Sequence, residues 1–91
     1  MTGSAKKMLF QGASELGSGA DLNALSENGM YYWYSGNAPS NAPSDGNYLL
    51  VNLIHPRGAV QLAYKTYNGT AFLMRTKHYS NWDSWMTVSI S

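Results

Sequence analysis

The sequence contains no cysteine, so neither a disulfide framework nor a thiolate metal site can stabilise the fold. Net charge is also nearly absent, because six basic residues face five acidic ones among 91 residues. A chain with so little excess positive charge has no electrostatic basis for binding nucleic acid or an anionic membrane. No apolar run approaches the roughly 18 residues of a membrane helix, and the start lacks the pattern of an ordinary signal peptide. We therefore expect no nucleic-acid partner and no membrane insertion.

Charged residues of either sign are scarce, at 12%, against about 25% in ordinary globular domains. The polarity of the chain comes instead from Asn, Ser, Thr and Gly. A content of 44% hydrophobic and 13% aromatic residues argues against disorder, and the length suits a single domain. A core this small, without disulfides, predicts a domain that depends on partner subunits for stability.

Two segments differ in composition. Residues 1–20 are rich in Gly, Ser and Ala and are predicted to form a flexible arm, with one strand around residues 7–11. Residues 21–91 are predicted to form the folded domain. Asp21 has the features of a helix N-cap, followed by one or two helical turns that contain Leu22 and Leu25.

The rest of the chain reads as four or five short strands, at residues 30–34, 48–54, 60–67, 70–77 and 85–90. Turns are predicted at residues 55–58 and at Asn68-Gly69, the latter as a two-residue hairpin of type I′. The fold class predicted is therefore mainly β: a small antiparallel sheet with one short N-terminal helical turn. Alternation of apolar and polar residues predicts a core face made of Leu49, Val51, Leu53, Val60, Leu62, Phe72, Met74, Val88 and Ile90.

A long connection at residues 35–47 repeats the tetrapeptide Asn-Ala-Pro-Ser. Such a loop is either a recognition loop or a tolerated excursion. Asp45 is its only charged residue, and its Asn and Ser side chains both donate and accept hydrogen bonds, which suits hydroxyl-rich ligands. A second candidate contact is the Asn81-Trp82 corner. The candidate ligand-binding residues are Asn37, Asn41, Asp45, Asn81 and Trp82.

Three aromatic features have two readings each. Arg75 and Trp85 are predicted to form a cation–π contact across neighbouring strands, with pinning of the last strand favoured over a ligand role. Trp82 is read first as a cap over the open end of the core, and second as a stacking plane for a sugar ring. The run from Tyr32 to Tyr34 has too many rings for one buried face, which favours a contact with a neighbouring subunit over one with a ligand.

The sequence offers little support for an enzymatic function. A glycosidase needs two carboxylates across a cleft, and the five acidic residues do not form such a pair. No Gly-x-Ser-x-Gly motif is present, and His55 and His78 are read as exposed residues at strand ends. We therefore predict a protein that is not an enzyme, with no cofactor and no metal site.

Several short motifs occur in an order that resembles the pyocin-knob domain of phage tail fibres and R-type pyocin fibres. They span residues 20 to 88. The motifs are Asp21-Leu22-Asn23-Ala24-Leu25, Gly29-Met30-Tyr31-Tyr32, Asn41-Ala42-Pro43, Leu49-Leu50-Val51, Gln61, Asn68-Gly69, Arg75 and Trp82-Asp83-Ser84-Trp85.

This resemblance implies a trimeric knob in the tail fibre of a phage or prophage virion. The knob contributes to fibre trimerisation and to recognition of the host cell surface, and the expected receptor is a glycan. In this interpretation residues 1–20 are an arm or the end of the fibre shaft, and residues 21–91 are the knob-like β domain. The alternative is a carbohydrate-binding module of a secreted cell-wall-active protein. The oligomeric state separates the two, since a fibre knob is a trimer and a binding module is usually a monomer.

Overall fold

The computed structural model describes residues 12–67 and 69–89, and it is mainly β as predicted. Within these residues the only helical element is a 3-10 turn, which is too short to cross a membrane. The elements are β1 (Ala13–Glu15), the 3-10 turn (Leu22–Ala24), β2 (Gly29–Trp33), β3 (Tyr48–His55), β4 (Gly58–Lys65), β5 (Ala71–His78), β6 (Asn81–Trp82) and β7 (Met86–Thr87).

All strands belong to one sheet, ordered β1-β2-β3-β4-β5-β6, with β7 also paired to β5. The pairs from β2 onward are antiparallel, whereas β1 runs parallel to β2. The sheet is therefore mixed and has more strands than the four or five expected. The strand expected at residues 7–11 lies outside the described residues, while β1 lies within the segment that the sequence assigned to the arm.

The tight hairpin joins β3 to β4, where His55 pairs with Gly58 around the predicted turn at Pro56 and Arg57. A Cβ atom on Gly58 would overlap the backbone carbonyl oxygen of Lys77 on β5, so this position requires glycine. The other predicted hairpin, between β4 and β5, is present, but its predicted two-residue turn is wrong, and Asn68 of that turn lies outside the described residues. The ladder between β4 and β5 ends at the pair Lys65–Ala71, which leaves residues 66–70 as a five-residue connection instead of a two-residue turn.

The predicted core face is also wrong, because the other face of the sheet is the buried one. Leu50 and Asn52 are 0% and 1% exposed, whereas Leu49 and Leu53 of the predicted set are 36% and 38% exposed. Alternation had correctly grouped residues that share a face, since Val51, Leu62 and Met74 align across β3, β4 and β5. Both faces carry apolar residues, however, and the pattern does not show which one the rest of the chain covers. Ile90 of the predicted set lies outside the described residues.

The core lies between the sheet and two covering segments, the 3-10 turn and the 35–47 loop. Trp33 is 1% exposed and stacks on Tyr48, with ring centroids 5.4 Å apart. Leu22 enters from the 3-10 turn, and Ala38 and Ala42 pack on the same cluster from the loop. The 35–47 loop is thus a cover of the core, which neither of its two sequence readings anticipated.

Candidate functional site: the Arg75 depression

The site is built on a row of buried polar side chains that crosses the middle of the sheet. Asn52, Gln61 and Arg75 are paired neighbours on β3, β4 and β5, and each is at most 5% exposed. Gln61 donates through Nε2 to Asn52 Oδ1 at 3.1 Å and accepts at Oε1 from Arg75 Nε at 2.9 Å. The three side chains therefore form a continuous hydrogen-bonded row inside the core.

This row holds the covering turn against the sheet. Gln61 Nε2 donates to the carbonyl oxygen of Leu22 at 2.8 Å, and Arg75 Nη2 donates to Asn23 Oδ1 at 2.7 Å. Asn52 Nδ2 donates to the carbonyl oxygen of Glu27 at 3.0 Å. Buried polar groups need such partners, because an unpaired one costs about 1–3 kcal/mol.

The inward orientation of Asn52 and Gln61 was not predicted from the sequence, although the sequence contains one indication of it. Each lies three residues from the turn pair His55–Gly58, so the predicted turn already sets them opposite each other. Two amides opposite one another in otherwise apolar strands can satisfy each other when buried.

Asp21 fixes the start of the turn, as the predicted N-cap. Its Oδ1 accepts from the backbone N–H of Asn23 at 2.9 Å and from Asn41 Nδ2 at 2.7 Å. These two bonds, the backbone one first, hold the pKa of Asp21 below its usual value, and the charge of Arg75 adds a smaller contribution. The same carboxylate thereby joins the turn to the 35–47 loop.

An open depression of about 560 Å³ lies above Arg75. It brings together three of the five ligand candidates, Asn41, Asn81 and Trp82, with the predicted pair Arg75 and Trp85. Its other lining residues are Asn23, Ala42, Ser80, Asp83 and Ser84.

The guanidinium of Arg75 is held between two indoles. Its Cζ lies 4.0 Å from the ring centroid of Trp82 and 5.0 Å from that of Trp85. The contact with Trp85 is thus present, and the contact with Trp82 is closer. Trp85 also donates through Nε1 to the carbonyl oxygen of Asn41 at 2.8 Å, which ties the end of the chain to the loop. Burial lowers the pKa of Arg75 to about 10, so the group stays charged at neutral pH.

The other two ligand candidates, Asn37 and Asp45, are not brought into the depression. Asn37 Oδ1 accepts from the backbone N–H of Ser18 at 3.3 Å. Asp45 accepts from the backbone N–H of Gly36 at 2.8 Å and from Ser35 Oγ at 3.2 Å. The Gly36 bond is the main reason that the pKa of Asp45 is lowered. Asn37 thus joins the loop to the segment before the 3-10 turn, and Asp45 ties the loop to itself.

A second feature is the sheet face opposite the core, here called the outer face. The residues that β2–β5 and β7 place at its centre are uncharged and none is fully buried, and Tyr64 and Met86 are 45% and 60% exposed. Glu15 of β1 pairs with Tyr32 at one edge of this face and is exposed. Tyr32 and Tyr34 meet edge to face beside it, with ring centroids 5.6 Å apart. The name outer face is kept for its apolar patch, which consists of Met30, Tyr32, Leu49, Val51, Leu53, Val60, Leu62, Tyr64, Phe72, Met74 and Met86. His55, Thr76 and His78 lie on the same side of the sheet, at the end of this patch.

Neither histidine lines the depression. His55 and His78 end β3 and β5 and are exposed, as the sequence suggested. Across residues 12–67 and 69–89, no three or more His, Asp or Glu side chains are grouped so as to hold a metal ion.

Comparisons with protein-family models, with curated proteins and with solved structures gave no match to this chain. What the structure defines is a class: a small mainly-β domain with a polar depression on the core side and an uncharged apolar outer face. The pyocin-knob resemblance stays a prediction. Its motif residues Asp21, Asn41, Gln61, Arg75 and Trp85 do lie together around the depression.

Proposed function

We propose that this chain is a non-enzymatic tail-fibre knob of a phage or prophage, which contributes to fibre trimerisation and to recognition of a host surface glycan. The observation that carries the proposal is the uncharged apolar outer face. An apolar sheet face exposed to water is characteristic of a surface that a partner covers.

The size of the outer face suits a subunit contact. β3, β4 and β5 have eight residues each, and together with β2 and β7 they form a surface of about 26 Å by 20 Å, on strand spacings of about 3.3 Å and 4.8 Å. The flat area of about 500 Å² approaches the roughly 800 Å² that each partner buries in a standard stable interface.

The partner proposed for the outer face is another copy of the same chain. Because none of the eleven residues is charged, two copies of this patch meet without burying an unpaired charge at its centre. The charge of Glu15 lies at the edge, in an exposed strand. Charge elsewhere on the chain is also low, which weakens repulsion between copies. The number of subunits proposed, three, is taken from the family resemblance.

The recognition part of the proposal is supported by the depression. Its amide side chains, hydroxyls and indoles offer the hydrogen-bonding groups and apolar surfaces that a sugar requires. The depression lies on the core side of the sheet, so assembly through the outer face leaves it accessible.

The test is the molar mass of the full-length chain by light scattering after size exclusion. A fibre knob is expected to give three times the 10.0 kDa chain mass. The double variant Leu49→Lys with Leu53→Lys places two charges on the outer face and is expected to give monomers that keep the β circular-dichroism spectrum. Tyr67→Lys is the matched control, since Tyr67 is 64% exposed in the connection after β4. A wild-type chain that is monomeric across the micromolar range contradicts the proposed self-association.

One observation favours the second candidate, a carbohydrate-binding module of a secreted cell-wall-active protein. The residues lining the depression come from a single chain, so sugar binding there needs no second subunit. A monomeric chain that binds a glycan supports this alternative over the fibre knob.

A further inference from the structure

Arg75 carries a charge that its hydrogen-bond partners do not neutralise. Arg75 is 5% exposed, and the hydrogen bonds of its guanidinium go to the neutral amide oxygens of Gln61 and Asn23. A buried charge is ordinarily paired, because its transfer out of water is costly. The indole faces of Trp82 and Trp85 offset part of this cost.

One end of the guanidinium is left for a ligand. Nε and Nη2 make the two hydrogen bonds, whereas Nη1 makes none within the described residues. Nη1 is not sealed from solvent either, since the fully buried unpartnered side-chain polar atoms among those residues are the indole nitrogens of Trp33 and Trp82. Arg75 lines the depression, and Nη1 is therefore the atom it offers there.

We propose that the depression binds a sugar that carries a carboxylate, such as a uronic acid, with the carboxylate on Arg75 Nη1. Arginine pairs with carboxylates through charge-assisted hydrogen bonds that are about twice as strong as neutral ones. The ring hydroxyls of the sugar are served by polar groups at the rim, among them the side-chain amide of Asn41. This proposal rests on the glycan recognition proposed above and adds the acidic group.

Two carboxylates lie close to the depression, Asp21 beside Arg75 and Asp83 among the lining residues. Asp21 already accepts two hydrogen bonds, and Asp83 accepts from Thr76 Oγ1 at 2.9 Å. Lys77 Nζ lies 5.9 Å from the ring centroid of Trp82, so two positive and two negative side chains surround the depression. The depression is thus close to neutral overall, and the open guanidinium nitrogen gives it a local preference for an anion.

The experiment is an NMR titration of the full-length chain with sodium glucuronate, its methyl ester and glucose. The ester keeps the shape of the acid and removes its charge. We expect shifts of the Trp82 and Trp85 indole N–H signals, with glucuronate binding at least tenfold more tightly than the ester. Glucose 6-phosphate is titrated in the same way. If it binds more tightly than glucuronate, the choice of a carboxylate as the acidic group is overturned.

Substitutions at exposed positions change the charge around the depression. Arg75 is kept in these variants because it also supports the core. Asp83→Asn removes a negative charge and is expected to tighten glucuronate binding roughly three- to tenfold, while Asn81→Asp weakens it by a similar factor. Asn37→Asp is the matched control outside the depression and leaves binding unchanged. Equal affinities of the chain for glucose and for glucuronate overturn this inference but leave the proposed glycan recognition standing. The molar mass of the chain tests fibre assembly separately, because it involves no sugar.

Discussion

Gln61 is the central member of the buried row, and its replacement by Met tests whether the row holds the covering turn. Methionine has nearly the same length but neither donates nor accepts a comparable hydrogen bond. Gln61→Met removes the bonds to Leu22 and Asn52 and the bond from the Arg75 guanidinium.

The expected loss follows from these three bonds. Each neutral bond is worth about 1 kcal/mol and the charged one about 1.5–3 kcal/mol, so the net loss is about 3.5–5 kcal/mol. The whole free energy of unfolding of a 91-residue domain is only about 5–14 kcal/mol, at roughly 0.05–0.15 kcal/mol per residue. The variant is therefore expected to lose a large part of its stability.

Urea unfolding followed by far-UV circular dichroism and tryptophan fluorescence measures this loss. The midpoint is expected to fall with little change in the slope against urea. Val60→Met is the matched control, because it introduces the same side chain one position earlier in β4 on the half-exposed outer face. A Gln61→Met variant within about 0.5 kcal/mol of the parent would refute the reasoning, since that range is normal for uninvolved surface sites.

Three further outcomes follow from the structure. Gly58→Ala is expected to destabilise the domain by more than about 3 kcal/mol, because a Cβ there overlaps the Lys77 carbonyl oxygen, while Gly19→Ala, with open space around it, changes the urea midpoint little. The pKa of Asp21 is lowered in the fold, so its ionised form contributes stability above its usual pKa of 3.8; that contribution disappears as the pH falls through the folded value. The stability gap between the parent and Asp21→Asn, measured by thermal unfolding, should therefore close on acidification, and a gap that widens contradicts the assigned bonds. Trp85→Ala is expected to cost about 3 kcal/mol, the lower end for Trp→Ala because the ring is half-buried; an unchanged melting temperature with lost cell adhesion assigns Trp85 to binding instead.

Local features of the chain were predictable because they depend on neighbouring residues. Asp21 caps the turn through its own short side chain, and Pro56 with Arg57 makes the tight hairpin between β3 and β4. The alternation of side chains correctly showed which residues share a face, since successive positions of a strand point to opposite sides. The mainly-β class follows from these local patterns alone.

The candidate site was predictable only in part. The 35–47 loop and the Asn81-Trp82 corner were both named as recognition elements, and the structure places Asn41 and that corner around one depression. Asn37 and Asp45 were indistinguishable from Asn41 by composition, yet their side chains are used within the loop and the preceding segment. Which of these side chains lines the depression depends on hydrogen-bond partners elsewhere in the chain, which composition does not reveal.

Tertiary packing alone decided which face of the sheet became the core. Both faces carry apolar residues, so burial depended on where the 3-10 turn and the 35–47 loop settled. The row of Asn52, Gln61 and Arg75 gives those segments hydrogen bonds that the apolar face cannot offer. Each of these bonds joins residues at least 25 positions apart, up to 52 for Arg75 and Asn23. No periodicity within a single strand encodes such pairings, which is why the buried face carries the polar row and the more apolar face was left outside.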